Sequence, residues 1–117
     1  SPRMGELEIA RIGVLGSLDP RIATPLSLIV TELIHNALEH GLTNSGAKLN
    51  IEASRGASSA KIIIFDDGVG LPDGFTLVDS ANLGLQIVRT LTENELKGSI
   101  NLIRTPRGTE AQLTFPL

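Results

Sequence analysis

Glu32 and Asn36 lie four residues apart in a segment of helical periodicity, so a carboxylate and a carboxamide fall about one turn apart on one helix face. An Asn carbonyl is a hard, neutral oxygen ligand. It suits Mg²⁺, which usually keeps several waters and shares the rest of its shell with substrate phosphates. A Glu beside it can orient or deprotonate a nucleophile. Taken alone, the pair fits a solvated polar stripe better than a ligand site, since surface helices usually look this way. Asp66 closes an apolar run and directly precedes the Gly68 and Gly70 segment, where glycines let backbone approach a ligand with no Cβ in the way. A carboxylate on the floor of such a pocket accepts a hydrogen bond from an exocyclic amine such as that of adenine. Guanine presents a carbonyl there and is repelled. Alone, the segment also fits an ordinary Asp-Gly turn. The third feature is Asn82-Leu83-Gly84-Leu85 at the head of a helical stretch, where unpaired N–H groups and the helix dipole favour phosphate. A lone glycine there also serves simple packing.

These residues need elements to position them. Glu6 to Leu15 reads as a strand with an interrupted alternation, followed by a turn-rich stretch from Gly16 to Ala23. Thr24 as cap and Pro25 at the first helical position predict a helix that Gly41 closes. Its apolar stripe is Leu26, Ile29, Val30, Leu33, Ile34, Ala37 and Leu38; the opposite stripe carries Thr31, Glu32, His35, Asn36, Glu39 and His40. Leu49, Ile51 and Ala53 alternate as a strand, a turn spans Arg55 to Ser59, and the doubly apolar run from Ile62 to Phe65 predicts a central strand. After the Asp66 to Pro72 turn, a polar stretch to about Asn82 reads as a mobile loop. A second helix is predicted from about Leu83 to Leu96, with Ile87, Val88 and Leu91 inward and Gly98 as its stop. Ser99 to Arg104 and Thr109 to Phe115 form a hairpin across Thr105-Pro106-Arg107-Gly108. The fold class that follows is α/β: a two-layer α/β sandwich with helices on one face of a mixed, mostly antiparallel sheet.

Composition narrows the functions available. At 117 residues, 41% hydrophobic and 20% charged, with a net charge of −3, the chain has the size and balance of one soluble domain, read as 1–117. The charge and the lack of Trp and Tyr argue against nucleic acid as a partner. Without cysteine there are no disulfides, thiolate ligands or thiol catalysis, which suits a reducing, cytoplasmic setting. No apolar run approaches a membrane span, so no direct membrane contact is expected of this domain. No signal peptide is visible, and a chain beginning at Ser1 without an initiator Met is expected to be a processed or partial one.

Together the three features are more specific than any one. Thr31-Glu32-Leu33-Ile34-His35-Asn36-Ala37 resembles the N box, Asp66-Asp67-Gly68-Val69-Gly70-Leu71-Pro72 the G1 box, and Leu83-Gly84-Leu85-Gln86-Ile87-Val88 the G2 box of the gyrase, heat-shock chaperone, histidine kinase and MutL ATPase superfamily, the Bergerat fold. The likeness runs from roughly Ile22 to the C-terminus. The stretches Arg89-Thr90-Leu91 and Leu96-Lys97-Gly98-Ser99-Ile100, with the closing Gly108-Thr109 strand, are similar to sensor histidine kinases with a short nucleotide lid. The resemblance implies ATP and Mg²⁺ as cofactors, Asn36 on the metal, catalytic Glu32 near the γ-phosphate, Asp66 on the adenine amine, Gly68 and Gly70 shaping the pocket, Gly84 and Leu85 at the phosphates, and Thr109 supporting the adenine through Asp66 or a water. It implies a protein histidine kinase of two-component signalling, with a dimerisation and histidine-phosphotransfer domain and a response regulator as partners. Two positions depart from the pattern: Glu39 replaces a common Lys or Arg, and Asn82 replaces the first Gly of the G2 Gly-x-Gly. Phosphate binding then rests on Mg²⁺, backbone amides and His40. Two alternatives share the pocket: an anti-sigma-type serine protein kinase, and a nucleotide-sensing module without catalysis.

Overall fold

The computed structural model describes residues 7–41 and 47–117, with the side chains of residues 7–11, 40, 41 and 47 outside that description. Alternating apolar residues pair into five strands, β1 (Leu7–Ile12), β2 (Ala47–Arg55), β3 (Ser59–Asp66), β4 (Ser99–Thr105) and β5 (Gly108–Pro116). Their order in the sheet is β1-β2-β3-β5-β4. β1 runs parallel to β2, and every other pairing is antiparallel. The doubly apolar β3 is central, as its composition requires.

Register decides which residues meet the helices. Asp66 faces Thr109, Ile64 faces Ala111, Ile62 faces Leu113 and Ala60 faces Phe115 across β3 and β5. Leu49, Ile51 and Ala53 of β2 and Ile100, Leu102 and Arg104 of β4 fall on that same side. Helices α1 (Pro20–Asn36) and α2 (Leu83–Thr90) cover this face, and Ile29, Leu33, Leu85 and Val88 pack with the strand residues into one core. Side chains as fully buried as Phe115, Leu113 and Ile29 each stabilise the fold by roughly 1.5–3 kcal/mol. The expected two-layer α/β sandwich, with its mixed and mostly antiparallel sheet, is the observed fold.

Several boundaries differ from expectation. β1 stops at Ile12 rather than Leu15 because Gly13, at φ +85°, turns the chain away. α1 begins at Pro20, capped by Asp19, whose side chain accepts the Arg21 backbone N–H at 2.8 Å. Asp19-Pro20 is as good a start signal as Thr24-Pro25, and the helix continues through Pro25 because that ring is buried on its inner face. Leu38 and Ile87, expected inward, are each 38% exposed. Both helices end in a turn of the wider π register, Ala37–Gly41 after α1 and Leu91–Glu95 after α2. That extra winding shifts which residues face inward: Thr92 and Leu96 are buried at the end of α2. Gly98 does not close α2 by its conformation; Lys97 takes the left-handed turn, at φ 57°. A Cβ at Gly98 would instead strike the Thr114 carbonyl oxygen.

Candidate nucleotide-binding cleft

Asp66 is the last residue of β3, on the helix side of the sheet and only 5% exposed. Burial pushes its carboxyl above the ordinary Asp value; the Gly68 N–H, donated to Oδ1 at 3.0 Å, partly offsets this, and the neighbouring Asp67 charge adds to the rise. Asp67 points the other way. Its Oδ1 accepts the Lys48 backbone N–H at 2.7 Å, which fastens the turn to β2. Gly70 adopts φ +81°, a left-handed conformation that carries the chain from the strand end into the loop. Gly108 lies beneath the turn, so close to Asp66 that a Cβ there would overlap the Asp66 carbonyl oxygen. The carboxylate is therefore set by backbone on both sides.

Above it opens a cavity of about 590 Å³, lined by Asn36, Asp66, Gly70, Leu85 and Thr109 together with Phe75 and Arg104. A smaller cleft of about 290 Å³ continues from it along α1, bounded by Glu32, His35, Asn36, Glu39, Asn82 and Gly84. Asn36 and Asn82 belong to both and stand at the junction. The predicted site residues thus line one or other of these two adjoining clefts, with two exceptions. Gly68 acts through its bond to Asp66, and the His40 side chain lies outside the described residues.

The geometry at the Glu32 end is more specific than the spacing indicated. Asn82 caps α2: its Oδ1 accepts the Leu85 N–H at 3.0 Å, and its carbonyl accepts the Gln86 N–H at 3.1 Å. The Leu85 amide is thereby committed to the cap, and the first-turn amides free of these two bonds are those of Leu83 and Gly84. Gly84 leaves room for Glu32, whose Oε2 would sit 2.6 Å from a Cβ added there. Glu39 Oε2 lies 3.1 Å from His35 Nε2, so its charge at the cleft edge has a local partner.

Sequence reasoning missed three residues. Arg104 lines the cavity and pairs with Asp73 of the loop. It was findable, because the inward alternation Ile100, Leu102 ends in a charged residue, and its register partner is Thr109. Phe75 supplies the cavity with an aromatic wall. Gln86 donates to the carbonyls of Leu77 and Ser80 at 3.0 and 2.7 Å, pinning the 71–82 loop to α2; no spacing rule marks it.

As for a metal, no group of three or more His, Asp or Glu side chains is placed to cage an ion among the described residues. The donor set fits Mg²⁺ arriving with a nucleotide: one neutral carbonyl oxygen, Asn36 Oδ1, with the Glu32 carboxylate in the same cleft. No helix of the described residues is long and apolar enough to cross a membrane.

Residues 22–117 match the family model described as histidine kinase-, DNA gyrase B- and HSP90-like ATPase. The chain belongs to this family. It is 44% identical to the sensor histidine kinase PdtaS of Mycobacterium tuberculosis over 114 residues, which covers 95% of this chain and 23% of that protein. The domain thus spans about a quarter of the length of that curated relative. The histidine kinase domain of the Erythrobacter litoralis EL346 blue-light activated histidine kinase superimposes with a TM-score of 0.85 at 25% identity, covering 95% of this chain and 55% of that one. The histidine kinase ThkA, solved in complex with the response regulator protein TrrA, shares the fold at a TM-score of 0.71 and 20% identity, covering 94% of this chain and 34% of that one. The domain is therefore of the histidine-kinase ATPase type, and the family implies use of ATP.

Proposed function

We propose that this domain binds Mg-ATP in the cleft and donates the γ-phosphoryl group to a histidine on a separate dimerisation and phosphotransfer domain, from which a response regulator takes it in cytoplasmic two-component signalling. The observation that carries the reading is the Asp66 carboxylate, nearly buried at the floor of a cavity that Asn36 also lines, beside the cleft that holds Glu32. The adenine amine donates to Asp66, and Thr109 supports that contact from the adjacent strand. Phe75 and Leu85 wall the base. The phosphates extend past Asn36 toward Glu32 and the Leu83 and Gly84 amides at the positive end of α2. Asn36 Oδ1, together with the nucleotide's own phosphate oxygens, would hold Mg²⁺, which would supply charge neutralisation there. Glu32 orients the incoming imidazole and can accept its proton as the new N–P bond forms and the bond to the ADP oxygen breaks. Such transfer depends mainly on positioning and electrostatics.

Isothermal titration with ATP and Mg²⁺ tests the binding half. Saturable binding is expected in the wild type, with a loss of roughly 100-fold in Asp66→Ala, the scale of a buried hydrogen bond to a charged group. Binding undiminished by that change sinks the base assignment. For the second half, a supplied histidine-bearing helical hairpin should acquire an acid-labile phosphate, and Asn36→Ala should abolish the transfer. An acid-stable product would point to a serine acceptor instead. Glu39, a carboxylate at the edge of the phosphate cleft, favours one other reading, a nucleotide sensor without catalysis. That reading requires equal affinity for ATP and ADP and no transfer.

A further inference from the structure

Asn82 joins the two halves of the cleft. Its Oδ1 accepts the Leu85 N–H at 3.0 Å, and its Nδ2 donates to Asn36 Oδ1 at 3.1 Å, across 46 residues of sequence. The first bond dictates the second. A carboxamide has one acceptor end and one donor end, and the acceptor end of Asn82 is committed to the cap of α2. Only its NH₂ can face Asn36, and only a carbonyl oxygen can answer it. A turned-over Asn36 would set NH₂ against NH₂. The Asn82 backbone N–H in turn donates to Ser80 Oγ at 3.1 Å, so the end of the loop helps to hold this residue in place.

We propose that Asn82 is a positioning residue that selects the orientation of the Asn36 carboxamide in which oxygen, not nitrogen, is presented to Mg²⁺. The inference rests on the Mg-ATP reading of the cleft. A carbonyl oxygen has two lone pairs, so Asn36 Oδ1 accepts from Asn82 and keeps one for the cation. Outer groups that fix the orientation of a metal ligand in this way typically change metal affinity by roughly 10- to 100-fold. Metal affinity is thereby tied to the capped state of α2 and to the loop that precedes it.

The test is titration of this chain with ATP, once in excess EDTA and once in Mg²⁺, for the wild type, Asn82→Ser, Asn36→Ala and the double variant. Ser still caps a helix but is too short to reach Asn36. Whatever its effect on metal-free affinity, Asn82→Ser should cut the Mg²⁺-dependent gain, the ratio of ATP affinity in Mg²⁺ to that in EDTA, by roughly 10-fold. The double variant should lose no more of that gain than Asn36→Ala alone, the signature of two residues acting through one interaction. Equal loss with and without Mg²⁺, or additive losses in the double variant, would overturn the positioning role in favour of a merely structural one. If Asn36→Ala keeps the full Mg²⁺ gain, the metal assignment itself has failed. If Asn36→Ala loses the gain while Asn82→Ser retains it, only the positioning role is overturned.

Discussion

Asp66 and Asn36 open into one cavity, yet the first is held by strand register and the second by a side-chain amide. At the Asp66 end, Thr109 is the register partner, the Gly68 N–H fills one carboxylate oxygen, and Gly108 presses on the backbone. At the other end, Glu32, His35, Asn36 and Glu39 line the outward side of α1 and its final turn, while Leu26, Ile29 and Leu33 do the packing. On the proposed reading, base recognition is thus inseparable from folding, and phosphate handling falls to side chains outside the packed core.

The sharpest way to break this comparison is Gly108→Ala. Its Cβ would overlap the Asp66 carbonyl oxygen, and φ +153° is a conformation that L side chains rarely adopt. A loss of roughly 4 kcal/mol or more is expected in urea unfolding, the range reserved for severe steric conflicts. A midpoint close to that of the wild type would show that the base end is not locked by backbone.

Asp66→Asn comes next and should move stability and binding in opposite directions. The folded carboxyl titrates above the ordinary value of 3.8, chiefly because it is buried, so ionising it costs the folded state. That cost is absent below the unfolded value, grows through the window up to the raised one and is full above it. Asn at this position needs no ionisation and can still accept the Gly68 N–H. The variant should therefore melt higher than the wild type near neutral pH, with the difference vanishing in acid below the ordinary Asp range. With its oxygen on Gly68, its NH₂ would face the adenine amine, and ATP affinity should fall roughly 10- to 100-fold. In the wild type, the same affinity should decline as acidification passes through the raised value. A binding profile flat across that window would contradict the assignment of Asp66 to the base.

The smallest effect is expected from Glu39→Lys, which exchanges a carboxylate for a cation at the edge of the phosphate cleft. An exposed charge of this kind is worth about 0.5–1 kcal/mol, so ATP should bind roughly threefold tighter at low salt, with the gain fading at high ionic strength. Its melting temperature should stay within about a degree of the wild type. A destabilisation approaching that of Gly108→Ala would erase the distinction between the two ends.

The same division explains what could be read from the chain alone. Local alternation and helical periodicity revealed the central β3, the closing hairpin and both helices, and the residue types of the Asp66 turn marked it as a candidate ligand site. The start of α1 could not be resolved locally, because Asp19-Pro20 and Thr24-Pro25 carry equivalent signals and burial of Pro25 decides between them. Ile87, read as inward, is partly exposed, and Gly98 is a close-approach glycine because the Thr114 carbonyl of β5 passes against it, which no local pattern shows. Arg104 was visible in principle as an inward charge at a strand end. The bond from Asn82 to Asn36 was not, because nothing in a linear pattern links two carboxamides so far apart in sequence.

The strand order has a consequence in time. β5 lies between β3 and β4, and it brings Thr109 beside Asp66 only once this strand, later in sequence than β1 to β4, has inserted into the sheet. During synthesis, α1 and the glycine turn emerge before β5, so the proposed floor for the base is completed only when β5 arrives. On the proposed reading, ATP can reward only a finished sheet and would act as a ligand of the end state, not as a template around which the chain assembles.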